Sequence, residues 1–572
     1  MSHPKHSPFL LSLSALALTL ACGGGSSSKS VDTPRAATPA TPVAAKAALP
    51  DPFWSSDSPE RPHRATPLNA APSTPNLIQL NEAEMHLLQQ GMAAAPAAPS
   101  TPRDASLIAT PLRIVTGLNS YTYHQETKTT LQPANLTSST IQALVPNTSG
   151  GFDTLTGVGH DDGTFSILNV PVGNYWLRFG TQYLWTSADH VEWVTDTYGR
   201  TDAVYPGNPT SLIMNANNLN AWQNTDELLF NVPNQGFYIS VPAGTPGVTN
   251  PPVVGALSLS NYTYDFTQIG FGLLSATSGD QAYLNQLTTR TAGDTVYRAL
   301  GRSWNLPALN MVDGTNATAN GAFLDLPQTS TLRLNWRRSA WANMTTQVNP
   351  NAVATGAEFG LWASPLGLNM GIPGDAFQLL TFDSGALGTS DLDLGDLPYG
   401  NPYPSAWNLI TESYFTWSLS YLAPGASTPA AVRRSTYTAT PTLPSASAPL
   451  SPLVSPVLNP KINGKDLFQN QLAVGTNPVI SWDLPSTGTP TGYLVRIMEL
   501  QNNAGATRML TRGLLRTATR SITVPPGIMN AGTTYVIFIS AIRTPGVNFN
   551  QYPFQTTFPY ASAPCMGAIV AP

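Results

Sequence analysis

Residues 161–179 read Asp161-Asp-Gly-Thr-Phe-Ser-Ile-Leu-Asn-Val-Pro-Val-Gly-Asn-Tyr-Trp-Leu-Arg-Phe179, and their reading decides the fold class. Asp162-Gly163 is a tight-turn dipeptide: glycine takes positive φ without steric cost, and aspartate bonds its own backbone two residues on. After it, Phe165 and Ile167 alternate toward one face, the period of a strand. Pro171-Val172-Gly173 marks the next turn. Beyond it Tyr175, Leu177 and Phe179 point one way, Trp176 and Arg178 the other. This stretch therefore reads as paired strands.

Working outward, the same texture runs on. From about 107, Thr, Val, Tyr and Trp become frequent. Strand-like runs recur at 228–240, 331–336, 376–382 and 412–421, broken by Asn, Gly and Pro at intervals suited to sandwiches or barrels. One stretch, 280–302, predicts a helix, with Tyr283, Leu284, Leu287, Tyr297 and Leu300 as its apolar set and Gly293 interrupting it. Toward the C-terminus, Val479–Trp482, Gly492–Ile497, Ser521–Pro526 and Ala531–Ala541 predict four strands, with Trp482 facing inward and Tyr535, Ile537, Ile539 and Ala541 sharing one face. The fold class is mainly β, several β-sandwiches in one chain.

Two stretches resemble known families. The Asp-Gly-x-Phe…Val-Pro-x-Gly-x-Tyr pattern of 162–175 resembles carboxypeptidase-regulatory-like (transthyretin-like) β-sandwiches and, extended outward, implies such a domain over 107–195. Trp482, Gly-Tyr-Leu-Val-Arg-Ile at 492–497 and Ala-Gly-Thr-Thr-Tyr at 531–535 resemble a fibronectin type III domain over 461–572, with Tyr535 at the corner position of such sandwiches. Both resemblances imply non-catalytic modules of exported proteins. The 196–440 region reads as a β-rich domain of no recognised family, and 441–460, rich in Pro, Ser and Ala, as a linker or its fusion with a first edge strand.

Composition agrees. Of 572 residues only 10% are charged, while Gly numbers 45 and Pro 52, which argues against helical bundles and coiled coils. Hydrophobic residues make up 42%, enough to build cores through most of the chain. The formal net charge of −5 offers no basic footprint for nucleic acid.

The N-terminus reads as an export signal. Lys5 is followed by an apolar stretch, Phe9–Leu20, too short to span a bilayer, and then by Ala21-Cys22 and a Gly/Ser run. This resembles a bacterial lipoprotein signal over 1–21 in which Cys22 is acylated; Thr19 departs from the branched apolar residue usual three places before the Cys. Gly23, where Asp would imply retention at the inner membrane, implies by the same resemblance the outer membrane or cell surface. Cys565 is then left without a partner. Residues 22–106 read as a disordered Pro/Ala/Ser-rich tether. Within it 81–91 predicts a short helix, capped by Asn81 and stopped by Gly91, that either docks on the body or forms transiently.

Chemistry is sparse. After residue 100 there are three His: His124, His160 and His190. The sequence has no His-Glu-x-x-His, no Gly-x-Ser-x-Gly, no phosphate-cradling Gly-x-x-x-x-Gly-Lys and no Cys-x-x-Cys-His, and no catalytic residue or cofactor is assigned. His190 and Glu192, two apart on a strand, share a face and form the weak metal candidate; a solvated strand face is the simpler reading. Asp391-Leu-Asp393-Leu-Gly-Asp396 departs from a calcium loop because Gly395 and Asp396 are reversed and no Glu closes it. Ten of the twelve Trp lie between Trp176 and Trp417. Flat Trp faces bind sugars, and Trp also fills β-sandwich cores. Trp185 and Trp193 beside His190, and Trp336 with Arg337, are the candidate ligand-binding residues. The expectation is a lipid-anchored binding or scaffolding protein of the envelope, with a glycan or an envelope protein as partner and the membrane held through its N-terminal lipid. An envelope polysaccharide hydrolase with its active site in 196–440 and a structural subunit of a surface assembly are the alternatives.

Overall fold

A computed structural model describes residues 76–89, 111–125, 128–240, 246–293, 295–365, 377–384 and 390–572. The signal segment, Cys22 and the tether up to residue 75 lie outside them. The fold is mainly β, with several sheets.

In the first sandwich Leu112–His124 runs antiparallel to Thr164–Pro171 and parallel to His190–Tyr198. The facing sheet is built on Ile141–Pro146, which pairs with Phe152–Thr156 and Tyr175–Phe179; the last pairs in turn with Gln182–Thr186. The turn at Asp162-Gly163 forms for the reasons its sequence carries. Gly163 sits at φ +81, and the Asp162 carboxylate accepts the Thr164 amide at 2.9 Å and its hydroxyl at 2.6 Å. The next turn does something else. Residues 171–174 carry the chain from one sheet to the other, so Phe165 and Ile167 meet Tyr175, Leu177 and Phe179 across one core.

The same strand order then occurs twice more. Ser211–Asn217 runs antiparallel to Leu259–Asp265 and parallel to Ala317–Ala322. Facing it, Glu227–Val232 pairs with Phe237–Ser240 and Tyr283–Ala292, and the latter with Thr295–Asn305. In the third copy Ser330–Trp336 runs antiparallel to Leu392–Tyr399 and bridges in parallel to Leu450. Facing it, Val353–Ser364 pairs with Phe377–Ser384 and Asn408–Tyr421, and the latter with Ala430–Thr440. The region of no recognised family is thus two sandwiches that share the first one's central strand pairings.

The fourth sandwich is different. Val479–Asp483 pairs with Leu458–Ile462 and Ser521–Thr523. They face a sheet in the order Ala506–Thr517, Gly492–Asn503, Thr534–Arg543, Tyr560–Ala571. Its core holds Trp482, Tyr493, Val495, Ile537 and Ile539.

One sequence expectation is corrected, and of the two alternatives for 441–460 the edge fits better. The 280–302 stretch is a hairpin, not a helix: Thr288, Thr289 and Thr291 stiffen it as strand, and Gly293 at φ +55 turns it. The 441–460 stretch is not a free linker, because Leu450, Val454 and Val457 are buried and Leu450 exchanges backbone hydrogen bonds with Asn335 and Arg337. Its prolines suit an extended edge that needs few donors.

The sandwiches are welded edge to edge into one 19-stranded sheet. Arg298 and Ala299 pair with Thr381 and Leu380, joining the second to the third. Tyr437–Ala439 pair with Tyr560–Ser562, joining the third to the fourth. Leu514–Thr517 pair in parallel with Gln182–Trp185, joining the fourth back to the first. Along this last seam Tyr183 and Trp176 face the fourth core and Leu184 the first, so the two sandwiches lie on opposite faces of the shared sheet. The first and second meet through a buried fork, Arg200 on Asp280 at 3.0 Å by two bonds.

Part of the expected tether belongs to the body. Leu77–Ile78 adds in parallel to Ser420–Tyr421, and Ile78 and Leu80 are buried in the core shared by the third and fourth sandwiches. Helix Glu82–Gln89 follows, started by a reciprocal cap in which Asn81 and Glu84 bond each other's amides at 2.8 and 2.9 Å.

Candidate functional site

The outer face of the first sandwich gathers the exposed chemistry. Val115, Phe165 and Ile167 point into the core, so their neighbours Ile114, Thr116 and Leu168 point out. Leu112, Ile114, Val158 and Leu168 are each more than half exposed, and Val172 joins them at 52%. Beside this apolar ground, on the parallel strand His190–Tyr198, His190 lies opposite Thr116 and shares a contact with its hydroxyl at 3.1 Å. Glu192 is on the same side, 3.5 Å from the His190 ring, and both are well exposed. The far edge of that strand is held by the fourth sandwich, whose Gln551 carbonyl accepts the Glu192 amide at 2.8 Å. His190 and Glu192 are two ligands and no more: among the described residues no group of three His, Cys, Asp or Glu could hold a metal ion.

The other end of the same strand pair carries His124. Its Nε2 lies 2.7 Å from the Asp196 carboxylate and its Nδ1 3.3 Å from the Thr129 hydroxyl. Carboxylate oxygens only accept, so Nε2 donates to Asp196. Hydroxyl, imidazole and carboxylate in that order are the parts of a nucleophile relay. Here the imidazole is wholly buried, and its two partners sit on the strands either side of its own. It therefore clamps three strands.

Most of the tryptophans are core. Trp193 is 2% exposed, stacked against Phe179 and Phe554, and Trp336 is wholly buried between Trp341, Phe359 and Phe382. Neither offers a ring face for a sugar. Trp185, tilted against Trp176 at 5.2 Å, and Trp222 keep partial exposure, on separate sandwiches.

Arg337 and its strand neighbour Arg333 meet the aspartate run. Ser330–Trp336 lies against Leu392–Tyr399, and Arg333 bonds Asp393 at 2.9 Å while Arg337 bonds Asp391 at 3.2 Å. The Ser339 hydroxyl, at 2.7 Å, is the main reason the Asp391 carboxyl is held below its usual range. The side chain of Arg333 does the same for Asp393. These carboxylates are engaged with neighbouring cations, which explains both sequence patterns without calcium or ligand.

Sequence reasoning missed the exposed apolar set. Its signal is Leu112-Arg-Ile-Val-Thr-Gly-Leu118, where Ile114 and Val115 are adjacent and both apolar. A strand with one solvated face alternates, and this one does not.

No family model matches the chain, and no curated protein matches it. Among solved structures, Salmonella alpha-2-macroglobulin reacted with methylamine aligns over 80% of this chain at 10% identity, with a TM-score of 0.13. This chain spans 29% of that protein's length. A tetra-tandem repeat from the extending region of a large adhesion protein aligns over 80% of this chain and 98% of its own, at 11% identity and a TM-score of 0.10. No helix among the described residues is long and apolar enough to cross a membrane. The chain is a mainly β protein built of several sheets.

Proposed function

We propose that this is a lipid-anchored scaffold of the cell envelope that holds a protein partner on the outer face of its first sandwich. The observation that carries the reading is the exposed set Leu112, Ile114, Val158, Leu168 and Val172 on one face of a body whose sandwiches are welded by shared sheet. Apolar ground of this kind, rimmed by His190 and Glu192, suits a protein surface. A glycan platform would need open Trp faces, and eight of the ten Trp between 176 and 417 are buried. We read the first sandwich as carboxypeptidase-regulatory-like and the next two as divergent copies of it. The last reads as fibronectin type III-like, supported by its strand order and by Tyr535, whose phenol accepts the Asn530 amide at 2.8 Å. Acylation at Cys22 and display at the outer membrane or cell surface complete the reading.

The test compares the mature protein with an Ile114→Asp/Leu168→Asp variant in envelope pull-downs and on a glycan array. Capture of one protein by the native chain, lost in the variant at unchanged melting temperature, supports the reading. Glycan binding that survives the double substitution overturns it. Hydrolysis of an envelope polysaccharide that vanishes on changing one Asp or Glu in 196–440 would establish the enzyme alternative.

A further inference from the structure

Residues 76–89 form a clip with unusual connectivity. Its strand pairs with residues about 340 positions later in the chain, and its seat straddles two sandwiches. On the third, the Asn76 carbonyl accepts from Ser420 at 3.0 Å, the Ile78 carbonyl accepts from Leu422 at 3.1 Å, and the Asn76 side chain donates to the Asn351 carbonyl at 2.9 Å. On the fourth, the Asn470 amide donates to the Gln79 carbonyl at 2.9 Å and to Glu84 at 3.0 Å, while its carbonyl accepts the Ile569 amide at 3.1 Å. Ile78 and Leu80 fill the apolar seat, and Met85 and Leu88 pack over it. The clip is therefore a strand-and-helix peptide bound in a preformed groove by main-chain pairing and two buried anchors, one of the recurring modes of peptide recognition.

We infer that this groove is an exchange site, which accepts the 76–89 clip of a second copy of the chain in place of its own. Three observations carry it. The clip is held by a two-residue strand, a short helix, two buried side chains and a few side-chain hydrogen bonds, so its release costs far less than unfolding the body. The chain between Gln89 and Pro111 is 21 residues long, a reach of about 70 Å when extended. No neighbouring part of the sequence specifies that the clip fills its own groove, because nothing local to it takes part in the seat. Each copy gives one clip and receives one, a head-to-tail contact that closes into rings or continues as filaments. A low resident concentration keeps the exchange silent, whereas copies crowded on a membrane would favour it.

The test uses full-length chains carrying Cys22→Ser, since Cys565 is buried. One population carries Asn76→Cys and a second Asn351→Cys; both side chains are exposed. The two are incubated together just below the melt and treated with a short thiol–thiol cross-linker. A linked heterodimer is expected, with its yield reduced at least tenfold when the Asn76→Cys chain also carries Leu80→Asp. A chain with both cysteines that links only within itself, while the mixture stays monomeric, overturns the inference. So does a heterodimer indifferent to Leu80→Asp, because it would then arise from contact elsewhere.

Discussion

Trp193 of the first sandwich and Phe554 of the fourth lie ring against ring, 5.2 Å between centroids. Phe554 belongs to the core of the first sandwich although its chain comes from the last, and the Arg516 guanidinium sits 4.2 Å above its ring. The first sandwich is therefore completed by residues more than 300 positions downstream. Phe554→Ala should cost about 3–4 kcal/mol, the range for deleting a large aromatic from a core. Trp fluorescence during denaturant unfolding should then report an early transition of the first sandwich, absent from the native protein.

The fourth sandwich should not stand alone. Every residue of Tyr560–Ala571 is buried, because the third sandwich covers the face turned away from the fourth's own core; Val536, Phe538, Met566 and Ile569 pack there with Trp417 and Tyr421. A 450–572 fragment exposes that face and should associate in analytical ultracentrifugation. In the full chain, Trp482→Ala should cost about 3–5 kcal/mol, read by the shift in the denaturant midpoint.

Burial pushes the Cys565 thiol up to about 12. The unfolded thiol titrates near 8.5. The neutral thiol's contribution is thus whole below about pH 8.5 and is lost as the pH climbs toward 12, by up to about 1.4 kcal/mol per pH unit. Denaturant melts from pH 7.5 to 10.5 should fall more steeply for the native chain than for Cys565→Ala, which removes the thiol from the tyrosine background. Thiol reagents should leave Cys565 unmodified until the chain unfolds.

The joint between the first two sandwiches depends on a glycine. Gly236 adopts φ +63, and a Cβ there would lie 2.3 Å from the Tyr198 carbonyl. Gly236→Ala adds left-handed strain to a backbone collision, and should destabilise by at least about 2 kcal/mol. Calorimetry on the two chains checks this.

Anchoring is tested at the cell. Cys22→Ala should move the protein from the membrane pellet to the soluble fraction and abolish fatty-acid labelling. A variant that still pellets and still labels would remove the lipid from the proposed function.

The strands legible in the sequence were those whose turns carry their own chemistry. Asp162-Gly163 could be read because its conformation is set by two residues. The 283–305 hairpin was read as helix because Tyr283, Leu284, Leu287, Tyr297 and Leu300 fall at helical spacing. Their burial is set by two cores on opposite faces of one sheet, and no window of sequence contains both. Composition left two readings open at 441–460, because proline marks an extended edge as readily as a linker. Of the candidate site, His190 and Glu192 could be placed on one face by strand period alone. The burial of Trp193 and Trp336 could not, because the layers covering them come from distant sequence: Phe554 over one, Phe359 and Phe382 over the other.

The welds between sandwiches are made of main-chain amides and carbonyls. Such a joint is written in the one part of a protein that nearly every substitution leaves untouched; proline alone removes the donor. Side chains at Arg298, Thr438 or Leu515 could therefore drift without unfastening it. A chain joined this way can keep its quaternary-like plan while its sequence loses all trace of common origin. Three sandwiches with the same central pairings can then share a plan that their side chains need not record.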